Sequence, residues 1–301
     1  MKDKKRILVT GSNGLLGQKL TDLLQYDENY LLLATATGPN RYPDKEIAYQ
    51  TLDITNAEEI EKIVLAFMPH IIINTAAMTN VDACETEKEK CDILNISALK
   101  YLANAANICG AKLIHISTDF IFDGKNGPYL ETDVANPLSY YGLSKLKGEQ
   151  IVMQDAKNWA IIRTVLVYGT VNDLSRSNIV LWAIASLKEN KQLNIVDDQF
   201  RTPTFAEDLA MGCKLIADSN AKGVYNISGK DFMSIFELVN RVAVFFNYNS
   251  NNVLKSDSKN LNQAAKRPPV TGFILDKAIK ELDYRPHSFE EALAIINKQL
   301  N

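Results

Sequence analysis

The chain has 301 residues, 46% hydrophobic and 23% charged, with a net charge of −3, the make-up of an ordinary globular protein with a buried core. That excludes a disordered or fibrous chain, and the slightly acidic balance argues against nucleic acid as a partner, since a nucleic-acid footprint needs clustered positive charge. No apolar run approaches the ~20 residues that cross a bilayer, and the basic opening "MKDKKR" leads straight into "ILVT", so no membrane partner is expected and the start reads as a short cytosolic lead-in.

Taken in chain order, the first half alternates short β-branched runs with longer helical patterns. "RILVT" precedes a helix over about 14–24, and "YLLLATA" follows around Tyr30. A helix over about 58–67 leads to the strand "IIIN" at 71–74, a long Ala- and Leu-rich helix is predicted over 87–108, and "KLIHIST" at 112–118 and "WAIIRT" at 159–164 read as buried strands. Continuous apolar strands separated by helices indicate an α/β fold, a Rossmann-type doubly wound parallel sheet. After about Gly169 the helical patterns "NIVLWAIASLKE" and "SIFELVNRVAVFF" are separated by longer polar loops, notably 247–263. We therefore expect a nucleotide-binding domain over 1–169 and a smaller mixed α/β substrate-binding domain over 170–301, with the chain free to cross back between them. Cysteines at 84, 91, 109 and 213 show no CxxC pairing, and only three histidines are present, so no metal site is expected and the thiols read as free in a reducing, cytoplasmic compartment.

"VTGSNGLLGQKL" sets Gly11, Gly14 and Gly17 between the first strand and the first helix. Gly11 suits a tight turn, Gly14 a close approach of backbone to pyrophosphate, and Gly17 tight helix–strand packing, with the helix N-terminus facing the anion. Asn13, Leu15 and Leu16 are expected to line the same dinucleotide. A carboxylate that would hold a ribose 2′-hydroxyl is missing from "ATATGPNR", which offers Thr37 and Arg41 instead. That favours NADPH over NADH, with NADH still open, because Arg41 could equally be a solvated loop residue.

"STDFIFDG" ends the fifth strand where open α/β sheets bind ligands. Downstream lies "SYYGLSK". On a helix, residues four apart share a face, so Tyr141 meets Lys145 while Tyr140 meets Ser144. A neighbouring ammonium is expected to lower the Tyr141 pKa, and a fall from ~10 to ~7 corresponds to ~4 kcal/mol. Such a tyrosine is a competent general acid. Tyr140 is left open between packing and lining the site.

The GxxGxxG spacing resembles the extended branch of the short-chain dehydrogenase/reductase superfamily. "STDFIFDG…ETD…PLSYYGLSKLKGE", "IIRTVLVYG", "DDQFRTPTFAEDLA" and "RPPVTGFILD" together resemble the RmlD-type dTDP-4-dehydrorhamnose reductase family over most of the chain. The resemblance implies a reductase of a nucleotide-linked 4-keto sugar. Asp53 and Ile54 would lie against the adenine, and Ala76 and Ala77 of "NTAAMTNVDACE" would let the cofactor cross the strand ends. Tyr141 would protonate the C4 keto oxygen, Lys145 would tune Tyr141 and hold the nicotinamide ribose, and Thr118 would orient the carbonyl.

Departures fall on the substrate side: Phe120 replaces a tyrosine, Leu166 a tryptophan and Arg201 a glycine. They imply retained redox chemistry on an altered sugar. Arg201 and Arg267 are candidates for a nucleotide diphosphate or, alternatively, structural arginines. Two other readings accompany this one. An epimerase of the same branch would hold NAD tightly, whereas a dehydratase is disfavoured because "STDFIF" lacks the Asp-Glu pair. A non-catalytic NADP-binding subunit is implied by resemblance to the methionine adenosyltransferase β subunit. Some relatives form homodimers, so that association is open here.

Overall fold

A computed structural model describes residues 4–42, 46–172, 178–260 and 263–301. Seven strands form one parallel sheet: β1 (Lys5–Thr10), β2 (Tyr30–Ala36), β3 (Tyr49–Thr51), β4 (Ile71–Asn74), β5 (Lys112–Thr118), β6 (Trp159–Thr164) and β7 (Gly223–Asn226), in the order β7-β6-β5-β4-β1-β2-β3. The order reverses between β1 and β4, which is where open α/β sheets leave a crevice at their carboxyl edge.

Strand alternation explains the two faces. Ile7, Val9, Ile71, Ile73, Ile114 and Ile162 point into one core with the helices Leu15–Leu24, Ala206–Asp218 and Asp276–Leu282. Leu8, Ile72, Leu113 and Ile161 point into the other, with the helices Ala57–Phe67, Ala98–Cys109 and Tyr140–Asp155. The central strands β1, β4, β5 and β6 thus bury both sides, as their apolar runs require, while the edge strand β3 stays largely exposed. The fold is a doubly wound α/β sheet.

A third core joins the helices Ile179–Lys188, Ile235–Phe245 and Phe289–Leu300 to a parallel strand pair, Leu193–Val196 and Val253–Ser256. The predicted polar loop at 247–263 therefore contains a strand, and Leu261 and Asn262 within it lie outside the described residues. Ser234 caps the helix after it by accepting from the Glu237 N–H at 3.1 Å. From the second half of the chain, β7 pairs with β6 in the large sheet, and the helices Ala206–Asp218 and Asp276–Leu282 pack into the sheet's first core.

The predicted long helix over 87–108 is present from Lys88 to Cys109, with a π-turn inside it and a short helix before it. The short helix is Val81–Thr86, and the long one runs as Lys88–Asp92, a π-turn at Ile93–Ser97, and Ala98–Cys109. The buried Asn95 sits in that π-turn and bonds out of the helix to Met78 and Ser144. A polar side chain satisfied outside the helix is what the wider turn accommodates. Among the described residues no helix is long and apolar enough to cross a membrane.

Candidate active site

The glycine-rich turn brings the chain from β1 into the helix Leu15–Leu24. Gly11 turns at φ +70°, and a Cβ on Gly17 would lie 2.3 Å from the Gly11 carbonyl oxygen. Only glycine lets helix and turn pack so closely. No side chain caps that helix at Gly14, which leaves its first-turn N–H groups to an anion. Beside them the Ser12 hydroxyl is buried without a protein partner. Leu16 is buried against the sheet and Leu15 is half-buried at the turn. These features fit a dinucleotide pyrophosphate.

The Asn13 side chain secures the neighbouring loop. Its amide accepts from the Arg41 N–H at 2.9 Å and donates to the Pro39 carbonyl at 3.0 Å, tying the turn to the loop after β2. Thr37 and Arg41 are exposed on that loop, next to the turn. The Tyr49 hydroxyl supports it from below by donating to the Gly38 carbonyl at 2.7 Å. Ile54 is buried, while Asp53 makes an Asx turn, accepting from the Thr55 N–H at 2.9 Å. The cap of the following helix is Asn56, which accepts from Glu58 and Glu59. Ala76 and Ala77 lie half-buried at the end of β4, Ala76 against Gly11.

Thr118, Tyr141 and Lys145 converge at the carboxyl edge of β5, and all three are buried. Ser139 starts the helix Tyr140–Asp155 by accepting from the Gly142 N–H at 3.2 Å. A Cβ on Gly142 would fall 2.1 Å from the Phe120 carbonyl oxygen, so the helix can sit directly against the strand end. The Tyr141 ring meets Phe120 edge-on, with centroids 5.8 Å apart. Tyr140 points elsewhere: its hydroxyl donates to Asp92 at 2.9 Å and its N–H to Glu85 at 2.7 Å.

The electrostatics differ from the expectation. Burial pushes the Tyr141 phenol above its ordinary value, opposed by a hydrogen bond with Thr118 and reinforced by the Asp119 charge. Lys145 shares the helical face, but its ammonium donates to the Ile116 carbonyl at 2.7 Å and lies 3.2 Å from His115 Nε2. Desolvation pulls Lys145 down to about 8, against the favourable charge of Glu149. Loss of solvation outweighs the pair attraction that helical spacing alone suggested.

Arg201 is an internal cross-link. It donates to the carbonyls of Phe200 at 2.7 Å, Pro269 at 3.1 Å and Pro268 at 2.7 Å, and its Nε lies 3.8 Å from Asp119. Its guanidinium also stands 6.0 Å over the Phe120 ring. Of its two alternatives, this geometry favours the structural one. Arg267 pairs with Asp82 through two bonds of 3.2 and 2.6 Å, at a half-buried position. Leu166 has a left-handed backbone, φ +39°, and packs between the first and third cores. Bulky residues rarely hold that conformation outside functional or turn positions.

Three participants escaped the sequence reading. Asn95 fixes the segment after β4 to the Tyr140–Asp155 helix, and its only signal was a polar residue inside an apolar helical pattern. His115 and Asn74 stand behind Lys145, at inward positions of β5 and β4 that the alternation marks as buried.

Comparison with known families bears directly on this arrangement. The model of the RmlD substrate binding domain family matches residues 5–301. The chain belongs to that family. A dTDP-4-dehydrorhamnose reductase of Aggregatibacter actinomycetemcomitans is 31% identical over 302 residues, covering 96% of this chain and 97% of the relative. The methionine adenosyltransferase 2 subunit beta of Bos taurus is 32% identical over 254 residues, 83% of this chain and 74% of the relative. Among solved structures, the dTDP-4-dehydrorhamnose reductase of Bacillus anthracis in complex with NADP superposes with a TM-score of 0.85 at 30% identity, covering 99% of this chain and all of that one. Both a reductase and a subunit of another enzyme thus stand among this RmlD-family chain's relatives.

Proposed function

We propose that this protein is an NADPH-dependent reductase of a nucleotide-linked 4-keto sugar, with dTDP-4-dehydrorhamnose as the substrate to test first. The observation that carries the reading is the convergence of buried Thr118, Tyr141 and Lys145 at the sheet edge beside an uncapped helix N-terminus. The nicotinamide, when bound, supplies the hydride. Tyr141 then gives its phenolic proton to the carbonyl oxygen. A phenol kept protonated by burial suits reduction, where the residue must arrive as the acid. Thr118 holds the same oxygen through its hydroxyl. Lys145, one helical turn from Tyr141, stabilises the phenolate left behind and donates to the nicotinamide ribose.

The preference for NADPH rests on the absence of a carboxylate after β2 and on Arg41 in the loop that Asn13 secures. We assign cofactor binding to 1–169 and sugar binding mainly to 170–301, with β7 returning to the first. We further propose a cytoplasmic setting, supported by four unpaired cysteines. A homodimer is part of the proposal, and sedimentation would test it.

NADPH oxidation followed optically with dTDP-, UDP- and GDP-linked keto sugars tests the reading. Turnover with a keto sugar, and a lower KM for NADPH than for NADH, is the expected result. Release of an epimerised sugar with no net NADPH consumption would instead point to an epimerase. The second reading, a non-catalytic NADP-binding subunit, draws on the relatedness to methionine adenosyltransferase 2 subunit beta. Absence of turnover with every sugar, together with co-purification of a methionine adenosyltransferase, would replace the first reading by the second.

A further inference from the structure

Behind Lys145 runs a line of buried polar groups that the proton transfer to sugar does not use. Lys145 Nζ lies 3.2 Å from His115 Nε2, His115 Nδ1 lies 3.1 Å from Asn74 Nδ2, and Asn74 Oδ1 accepts from the Thr10 hydroxyl at 2.5 Å. The four residues come from four elements, the helix Tyr140–Asp155 and strands β5, β4 and β1, and all are buried. Water is excluded, so donors and acceptors along the line must match one another.

The matching admits two solutions. A neutral imidazole has one N–H and one acceptor nitrogen, and an amide presents either its oxygen or its NH₂. When Lys145 is an ammonium it can only donate, so His115 Nε2 accepts and the ring proton sits on Nδ1. Asn74, with its amide turned over from the orientation above, then offers its oxygen to that proton and its NH₂ to Thr10. When Lys145 is a neutral amine it can accept. The line then runs the other way: Thr10 hydroxyl to Asn74 oxygen, Asn74 NH₂ to His115 Nδ1, and His115 Nε2–H to Lys145. Passing from the first state to the second removes one proton from the Lys145–His115 pair and moves the imidazole proton from Nδ1 to Nε2. The proton lost goes to solvent.

We propose that His115 is a positioning residue for Lys145, a tautomeric relay whose direction, set through Asn74 and Thr10, reports and stabilises the protonation state of Lys145. The proposal deepens the reductase reading, because it assumes that Lys145 serves the reacting tyrosine. Burial and the neighbouring Lys145 charge hold the His115 imidazole well below its ordinary value, so it stays neutral while either state forms. The other charged or titratable groups facing Lys145 are Glu149, one turn further along its own helix and paired with Arg163 of β6, and Cys91 from the helix Lys88–Asp92.

Nitrogen NMR of histidine-labelled protein, free of cofactor and sugar, tests the relay whether or not the substrate assignment is right. His115→Gln identifies the His115 signals among the three histidines. The expected result is an Nδ1–H tautomer at neutral pH that converts to Nε2–H as Lys145 loses its proton, and no conversion in Lys145→Met. A single tautomer throughout, or a conversion that persists in Lys145→Met, would overturn the proposal. A second arm uses turnover. His115→Phe removes the acceptor and should move the basic limb of kcat/KM down by about one to two pH units, the size of one lost hydrogen bond to a charged group. His115→Gln, which keeps an acceptor, should restore most of that shift. An unmoved limb in folded His115→Phe would also refute the relay.

Discussion

Phe120 meets Tyr141 edge to face, with ring centroids 5.8 Å apart and planes at 70°. Phe120 in turn lies under the Arg201 guanidinium, which reaches toward Asp119. Tyr141, the proposed acid, is therefore packed against Phe120, which Arg201 covers, and both are residues that distinguish this chain from the family pattern it resembles.

Replacing Phe120 by alanine removes that support and lets water reach the phenol. An aromatic pair contributes ~0.5–1.5 kcal/mol beyond its buried area, so turnover should fall by roughly two- to tenfold. Steady-state kinetics on Phe120→Ala and on Phe120→Tyr would check this, the tyrosine variant keeping most of the activity.

Tyr141→Phe removes the proton donor and little else, because the ring keeps its place against Phe120. General acid catalysis is worth ~10²–10⁴-fold, and turnover should drop by that order while NADPH affinity is retained. Titration of cofactor binding beside the rate measurement separates the two effects.

The Arg201 geometry makes a prediction about stability rather than affinity. Burial pushes the Asp119 carboxyl up, against the pull of Arg201 and a hydrogen bond from Thr271. Removing one partner of a buried pair typically costs ~3–5 kcal/mol. The Asp119 contact is long, at 3.8 Å, so the lower end is expected, with the three carbonyl bonds adding to it. Arg201→Ala should therefore unfold at a clearly lower temperature. A diphosphate ligand would instead give a raised sugar KM with Tm unchanged.

Gly17→Ala would drive a methyl group to within 2.3 Å of the Gly11 carbonyl oxygen. Neither backbone can yield without opening the pyrophosphate turn. Weaker NADPH binding with lower thermal stability is the expected outcome, measured by cofactor titration and by melting in the absence of cofactor.

Lys145 also carries a pH signature. Its folded value, about 8, lies below the ordinary 10.5, so between these two the unfolded chain binds more protons than the folded one. Stability from this group therefore rises with pH across that window, and below it the burial penalty is present in full. Urea unfolding of wild type and Lys145→Met should show the difference shifting in favour of wild type as pH increases.

Much of the site was legible along the chain because it is written in local periodicities. Apolar runs bounded by helical patterns gave β1, β2, β4, β5 and β6 and the doubly wound fold, but not the short polar β3. Glycines three apart after a strand marked the tight turn into the first helix, and the four-residue spacing of Tyr141 and Lys145 put both on one helical face. The strand β7 was harder to see, since "GVYN" is short and finds its place only by pairing with β6. The π-turn at Asn95 was not legible, because it depends on the amide bonding out to Met78 and Ser144.

The chain by itself therefore determined which residues could share an element and a face, since backbone geometry repeats over three to four positions. What each charged group actually bonds to was decided by tertiary structure. Lys145 turns toward Ile116 and His115, and Arg201 toward carbonyls of residues 200, 268 and 269, because those acceptors converge only when distant segments fold together. Burial then set the protonation of Tyr141 and Lys145, and burial is a property of the whole packed molecule.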